Sequence, residues 1–224
     1  MIPILFQDRR FVVLNKPPGL AVHPGPRGGP SVEDHFPEIS RRKDGPWLAH
    51  RLDADTAGCL VVALRKTALV AAQGEFAAGR AHKTYWAIVD GVPEADSGVI
   101  AAPLLRRTDK SGWRMVVDAS GQTAETAWKV CGRGAGIAWV AFRPKTGRTH
   151  QIRVHAAQLG WPILGDPVYG NGAAEKLHLL ARAIRLDLDP AVIAEAPPPG
   201  HMLAALGRCG FRAGLPSDAQ PADR

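Results

Sequence analysis

Apolar and polar positions along the chain predict many short strands and few helices. The runs "ILF" and "FVVLNK" flank the polar turn 7–10, which predicts an opening β-hairpin. The run 59–64, "CLVVAL", is apolar throughout, and its length and Val content are typical of a strand buried on both faces. Composition and intervening turn residues predict further strands at 83–91, 99–104, 113–118, 122–130, 138–144 and 177–188.

Helical spacing is confined to three segments. Ser31 is interpreted as the N-cap of a short helix in "SVEDHF", and the Ala-rich stretch 67–79 has apolar spacing suited to a helix that Gly79 ends. In "THQIRVHAAQLG" the apolar residues recur at helical spacing, which predicts a third helix with Thr149 as its N-cap. Because strands dominate and helices come singly, the pattern predicts an α+β fold with a central mixed, largely antiparallel sheet flanked by helices.

The size and composition of the chain are those of a protein that folds without disulfide bonds or a structural metal ion. Its 224 residues, 46% of them hydrophobic, can bury a substantial core. Its three cysteines, Cys59, Cys131 and Cys209, are scattered, so neither a disulfide framework nor a metal site is indicated. No apolar run approaches the roughly 20 residues that span a bilayer, and the N-terminus lacks the features of a signal peptide. We therefore expect a cytoplasmic protein with no membrane segment and no metal.

Basic residues exceed acidic ones in this chain. Lys and Arg number 28 against 21 Asp and Glu, which gives a formal net charge of +7 and a pI near 9.7. A single basic cluster is typical of an ordinary solvated surface. The chain has three such clusters, and their recurrence indicates a polyanion such as nucleic acid as the partner. The clusters are 41–43, then Arg106 and Arg107 with Lys110, then Arg143, Lys145, Arg148 and Arg153.

Two aspartates stand in the loop "HRLDADTAG", directly before the buried run. Loops held by a rigid scaffold are frequent sites of catalysis. Asp53 and Asp55 could be the acid and base of a glycoside hydrolase, although two residues apart in one loop they lie closer than the usual separation across a sugar ring. Asp55 is interpreted instead as a turn residue that accepts local backbone N–H bonds. That leaves Asp53 as the candidate for chemistry.

Four blocks of the sequence resemble the signature motifs of the RluA-type pseudouridine synthases. They are "VLNKPPGLAVHPG", "HRLDADTAG", "KTYWAIVDG" and "KTGRTHQIRVHAAQLGWPILGDPVYG", in the order of the family. A looser match carries the resemblance to about residue 211. It implies a single pseudouridine synthase catalytic domain over 1–212, with a catalytic cleft, and the polar segment 213–224 is expected to be a disordered tail.

The chain departs from the family pattern at two points. Ala57 stands where the family usually has Ser, and "LHLLA" replaces the usual "LHA" near the last strand. The first departure removes a hydroxyl beside the catalytic turn but leaves Asp53 in place, so an active enzyme is still expected. The family often carries an S4-type RNA-binding domain ahead of the catalytic one. None is expected here, because the chain begins close to its catalytic core.

The resemblance implies isomerisation of specific uridines in ribosomal or transfer RNA to pseudouridine. The N1–C1′ bond breaks, the uracil turns and a C5–C1′ bond forms, so the reaction needs a carboxylate but no cofactor. By resemblance, Asp53 is the catalytic carboxylate and Arg153 is the guanidinium that keeps it ionised and oriented. Tyr85 would stack on the uracil. Nothing in the sequence demands an assembly larger than a monomer.

A second set of residues is assigned to RNA binding. By resemblance, Arg51 fills the space left by a nucleotide that flips toward the catalytic carboxylate. His50 also suits a structural role, hydrogen-bonded at the turn. Two alternatives stay open, namely a non-catalytic RNA-binding protein of the same fold and a glycoside hydrolase. The residues assigned to RNA binding are Arg51, His50, Lys83, Arg148 and His150.

Overall fold

A computed structural model describes most of the chain. No helix in the described part is long and apolar enough to cross a bilayer. The segment 213–224, expected to be a disordered tail, lies outside the described residues. The described residues are 1–25, 28–41, 44–110, 112–171 and 176–212.

Strands account for most of the regular structure, as the sequence predicts. The predicted strands are all present, whereas β3, β7 and β12 below were not predicted. Within the described ranges the strands are β1 (Ile4–Gln7), β2 (Phe11–Lys16), β3 (Trp47–Leu48), β4 (Ala57–Ala63), β5 (His82–Asp90), β6 (Ser97–Ala101), β7 (Leu104–Asp109), β8 (Gly112–Val117), β9 (Glu125–Arg133), β10 (Ile137–Pro144), β11 (Leu179–Leu186) and β12 (Val192–Glu195).

Ten of these strands form one mixed sheet. Its order is β1, β2, β4, β11, β5, β10, β9, β6, with β12 beside β11 and β3 beside β4. The pair of β4 and β11 is parallel, and the other pairs are antiparallel. Strands β7 and β8 form a separate antiparallel hairpin. The predicted α+β fold with a largely antiparallel mixed sheet is confirmed.

Helices pack on both faces of the sheet. Residues of α2 and α4 join one apolar core with alternate residues of the central strands, such as Val61 and Trp86. Residues of α3 join the core on the opposite face, which contains Phe142. Strand β4 is apolar throughout because its other face packs in a third core, with Leu14 of β2 and Phe36 of α1. The helices are α1 (Phe36–Ile39), α2 (Lys66–Ala77), α3 (Gln151–Gln158) and α4 (Gly200–Arg208), with a 3₁₀ turn at Val32–His35 before α1.

The start of α3 differs from the sequence-based expectation. His150 has the left-handed backbone angles φ 54° and ψ 17°, so the helix begins only at Gln151. The prediction that Thr149 caps this helix is therefore wrong: the right-handed helical conformation starts only at Gln151, so His150 occupies the N-cap position. The short helix after Ser31 exists as a 3₁₀ turn followed by α1. Helix α4 was not predicted from the sequence.

One glycine is fixed by the parallel pairing of β4 with β11. Gly58 has φ 105° and pairs with Ala181. A Cβ atom at this position would collide with the Ala181 carbonyl oxygen, so only glycine fits. Ala57, which replaces the Ser usual in the family, is only 2% exposed and packs in the core. The missing hydroxyl therefore belongs to a position that faces the core.

Candidate active site

A buried lysine binds the turn that carries Asp53. Lys16 ends β2 and is fully buried, and its Nζ donates hydrogen bonds to three loop carbonyl oxygens. One of these is the oxygen of Ala54, at 2.7 Å. Burial lowers the pKa of Lys16 to about 8, against the opposing effect of the charges of Asp55 and Asp53. Lys16 thus anchors the residue next to Asp53.

Arg153 lies beside Asp53, but it donates its hydrogen bonds to another carboxylate. Its Nε and Nη2 each donate a 2.7 Å hydrogen bond to Asp166, which is fully buried. The remaining nitrogen, Nη1, lies 4.0 Å from Oδ2 of Asp53. Burial favours the neutral form of both partners, but their mutual hydrogen bonds and charges prevail, raising the Arg153 pKa and lowering that of Asp166. Arg153 therefore stays charged and presents one nitrogen to Asp53.

His150 forms the other side of the Asp53 environment. Its Nε2 lies 3.8 Å from Oδ2 of Asp53, its Nδ1 lies 2.9 Å from the Tyr169 hydroxyl, and its ring stacks on Trp113 at 5.1 Å between centroids. Burial lowers the pKa of His150, with the charge of Asp53 opposing, so the ring is neutral near pH 7. If Tyr169 donates to Nδ1, the hydrogen on Nε2 faces Asp53.

A buried hydrogen-bond network fixes the loop between β10 and α3. Gln151 accepts from the Thr146 hydroxyl and from the Arg148 N–H at 2.8 and 2.9 Å, and donates to the Thr126 hydroxyl at 2.9 Å. Thr126 lies 2.9 Å from Nδ1 of His155, whose Nε2 is 3.0 Å from a backbone carbonyl. The network ties the start of α3 to β9. It therefore holds the segment that carries both His150 and Arg153.

A cavity of about 670 Å³ opens beside Asp53. Tyr85 lines it from β5 and packs with Ala87 on one face of the strand, whereas Trp86 packs on the other. Burial, and then the charge of Asp53, raise the pKa of the Tyr85 phenol, so it is neutral at pH 7. All eight residues predicted for the site line this cavity: Asp53, Tyr85, Arg153, Arg51, His50, Lys83, Arg148 and His150.

The residues assigned to RNA binding differ in their surroundings. Arg51 and Arg148 are exposed at the cavity. Lys83 is half-buried, its Nζ donates to the Thr146 carbonyl at 3.2 Å, and burial lowers its pKa. His50 accepts a 3.0 Å hydrogen bond from the Val61 N–H, and burial, followed by the charge of Lys83, lowers its pKa to about 4. These contacts agree with a structural role for His50 at the turn.

Asp55 takes no part in the cavity. Its side chain is exposed, and among the described residues its carboxylate accepts no hydrogen bond. The prediction that Asp55 caps the turn is therefore wrong; the hydrogen bonds of Lys16 hold the turn instead. Because only Asp53 reaches the cavity, the two aspartates do not form the acid and base pair that a glycoside hydrolase requires.

The basic clusters are only partly assembled on one surface. Arg106 lies over the Trp113 ring at 4.7 Å, and Trp113 contacts the cavity-lining His150, so Arg106 of the second cluster lies near the cavity. Arg107 is paired with Asp118 at 2.6 Å. Arg153 is buried and serves the site rather than an open surface. Residues 42 and 43 of the first cluster lie outside the described residues.

Several residues that build the site were not identified from the sequence. Asp166 and Tyr169 lie in "GDPVYG", the end of the fourth resembling block, and Lys16 lies in the first. Membership of those blocks is the only signal that could have found them, because no spacing shows that Asp166 meets Arg153. Trp113 lies outside the four blocks. In the described part of the chain, no group of three or more His, Cys, Asp or Glu residues could hold a metal ion.

Comparisons with known proteins agree with this geometry. Residues 10–158 match the family model described as RNA pseudouridylate synthase. A protein of Zymomonas mobilis subsp. mobilis named as an RNA pseudouridine synthase is 43% identical over 206 residues, which cover 88% of this chain and 93% of that protein. The dual-specificity RNA pseudouridine synthase RluA of Vibrio vulnificus is 35% identical over 91% of this chain and 81% of its own length.

Two further comparisons extend the similarity. The ribosomal large subunit pseudouridine synthase C of Yersinia pestis is 40% identical over 82% of this chain, but the match covers only 61% of that protein. Among solved structures, human RNA pseudouridylate synthase domain containing 4 superposes with a TM-score of 0.78 at 29% identity, covering 92% of both chains. The fold and the sequence blocks therefore lead to the same group of proteins.

Proposed function

Because the chain belongs to the RNA pseudouridylate synthase family, we propose that it converts specific uridines of ribosomal or transfer RNA to pseudouridine, with Asp53 as the attacking carboxylate. The protein is thus an RNA pseudouridine synthase, an isomerase. Asp53, Tyr85 and Arg153 come from three separate segments and line one cavity. This observation supports the role proposed for each of them.

The proposed reaction is an isomerisation, so substrate and product contain the same atoms. The N1–C1′ bond breaks, the uracil turns within the cavity, and C5 bonds to C1′. A proton leaves C5 and N1 takes one up, so no oxidant or reductant is consumed. Asp53 provides the carboxylate that bonds to C1′ as the N1–C1′ bond breaks, and it is displaced when C5 bonds to C1′. Nη1 of Arg153, 4.0 Å away, supports the negative charge of Asp53. Neutral Tyr85 offers a planar ring for the uracil to stack on.

The remaining cavity residues are proposed to hold the RNA. Arg51 and Arg148, both exposed, suit contacts with phosphates or with the space left by a flipped nucleotide. Half-buried Lys83 keeps its ammonium close to the Thr146 carbonyl, so it suits a fixed contact near the entrance of the site. His150, neutral and adjacent to Asp53, suits a hydrogen bond to the nucleotide or to the carboxylate.

We further propose that the protein acts as a monomer in the cytoplasm, on RNA alone and without metal or organic cofactor. Its relatives are named for modifying RNA of the ribosomal large subunit or for dual specificity, which supports an RNA substrate. We also propose that residues 1–212 are the catalytic domain. Size-exclusion chromatography with light scattering tests the monomer, and proteolysis followed by an activity assay tests the domain boundary.

The proposed function is tested by mapping pseudouridines in total RNA from a strain that lacks the gene. We expect one or more pseudouridines to disappear from ribosomal or transfer RNA and to return when the wild-type gene is restored. An unchanged map, together with RNA binding by the purified protein, would instead support the alternative of a non-catalytic RNA-binding protein. The same map identifies the RNA and the uridine.

A further inference from the structure

The hairpin of β7 and β8 lies against the catalytic segment although it is outside the main sheet. Its inner residue Met115 is buried with Val154 of α3, and the Met115 N–H donates a 3.0 Å hydrogen bond to the Tyr169 hydroxyl. Tyr169 in turn contacts His150. The hairpin is therefore docked on the residues around Asp53 rather than projecting freely into solvent.

Trp113 is an exposed aromatic residue held in place on this hairpin. It contacts His150 by ring stacking at 5.1 Å and the Arg106 guanidinium at 4.7 Å. Despite these contacts Trp113 remains 43% exposed. A large ring kept exposed but already fixed by two neighbours loses little conformational freedom when a further ring stacks on it.

The surroundings of Trp113 have the chemistry of a site for unpaired nucleic acid. Proteins that bind single strands combine aromatic rings, on which bases stack, with cations that contact the phosphates. Here the exposed Arg106 lies on the same face of the hairpin as Trp113. Arg107 and Arg114 lie on the opposite face. Trp113 is separated from Asp53 only by the His150 ring, whose Nε2 is 3.8 Å from the Asp53 carboxylate.

We propose that Trp113 is a stacking platform for an unpaired base that neighbours the target uridine, with Arg106 placed to contact its phosphate. This inference rests on the proposed function, since it assigns a second nucleotide of the same RNA. His150 connects the two positions, because its ring contacts Trp113 on one side and approaches Asp53 on the other. Trp113 therefore acts in substrate positioning and does not itself touch the reacting atoms.

The test compares two eight-nucleotide probes, oligouridylate and a ribose phosphate oligomer of the same length that lacks bases. Affinities are measured by filter binding for the wild type, Trp113→Ala, Trp113→Tyr and the control Val99→Ala, which alters an exposed apolar residue on β6. We expect Trp113→Ala to lose on the order of tenfold in affinity for oligouridylate and little for the abasic probe. Trp113→Tyr should retain most of the affinity, and Val99→Ala should match the wild type.

The proposal is overturned if Trp113→Ala weakens both probes equally or neither, because Trp113 would then only support His150. It is also overturned if Trp113→Tyr binds oligouridylate as poorly as Trp113→Ala, since a smaller aromatic ring should still stack. Circular dichroism of each variant confirms folding. Failure of the proposed function is seen separately, as an unchanged pseudouridine map in the deletion strain, because the binding comparison involves no catalysis.

Discussion

Arg153 donates two hydrogen bonds of 2.7 Å to Asp166 and keeps its third nitrogen 4.0 Å from the carboxylate of Asp53. The two-point contact sets the plane of the guanidinium from the buried side. Asp166 is itself held by the N–H groups of Val168 and Tyr169, at 2.9 and 3.1 Å. The position of the charge beside Asp53 is therefore determined by a residue that does not line the cavity.

Asp166→Asn should destabilise the protein because it removes the hydrogen-bonded counter-charge of the buried Arg153 guanidinium and leaves only Asp53, 4.0 Å away. Removal of one partner of a buried pair typically costs about 3–5 kcal/mol in the free energy of unfolding. Urea unfolding followed by circular dichroism measures the loss. Asp187→Asn is the matched control, because it breaks the exposed pair with Arg185 and should leave stability close to wild type. Equal losses for both variants would contradict the role assigned to Asp166.

Lys16→Met should impair both folding stability and catalysis. The substitution leaves the carbonyl oxygens of Pro17, Leu20 and Ala54 without the lysine donor, at a cost of roughly 2–3 kcal/mol. Because one of these carbonyls adjoins Asp53, single-turnover pseudouridine formation should also slow. The control Lys66→Met alters an exposed lysine of α2 and should change neither quantity. A normal rate in Lys16→Met would show that this anchor does not position Asp53.

His50 should make the protein sensitive to mild acid. Its pKa is about 4 in the folded protein against an ordinary value of 6.5, so between these pH values the unfolded chain binds more protons. Stability from this group is therefore complete above about pH 6.5 and falls, by up to about 3 kcal/mol, as the pH drops toward 4. Urea unfolding from pH 7 to 4 should show a shallower decline for His50→Gln, whose amide oxygen can still accept from Val61. Parallel pH profiles would contradict the role of His50.

Activity should persist in the absence of divalent metal. The described residues contain no cluster suited to a metal ion, and the proposed chemistry uses only Asp53, Arg153 and Tyr85. Protein treated with a chelator and then freed of it should release tritium from 5-tritiated uridine in RNA at the rate of untreated protein. Complete loss of release, restored only by added zinc, would contradict this expectation.

Much of the fold could be predicted because its signals are local. The apolar run of β4 reflects burial on two faces, which the sequence reports directly. Helix α4 was missed, since Gly200 and the prolines before it are typical of a loop, and tertiary packing of Met202 and Leu206 decides the helix. The left-handed His150 was missed because tertiary contacts, not its residue type, impose that conformation.

The residues of the candidate site could be predicted from the sequence, but the contacts between them could not. The resemblance placed Asp53, Tyr85 and Arg153 at one site, and the cavity contains all three. The bond between Arg153 and Asp166 could not be inferred, because an ion pair depends on how the segment after α3 folds back. The contact of Trp113 with His150 depends in the same way on docking of a hairpin far away in sequence.

We propose that Asp53, and not Asp55, is the catalytic carboxylate. Asp53→Asn removes the charge and the nucleophile while nearly preserving volume, so folding and RNA binding should survive. Asp55→Asn should be mild, because the Asp55 side chain is exposed and lies outside the cavity. It therefore serves as the matched control in the same loop.

The most direct measurement is single-turnover pseudouridine formation by these two variants on total RNA from the deletion strain, with circular dichroism to confirm folding. We expect no detectable product with Asp53→Asn and a rate close to wild type with Asp55→Asn. Product formation by Asp53→Asn would contradict the mechanism and the assignment of the site. Equal loss of activity in both variants would contradict the distinction between the two aspartates.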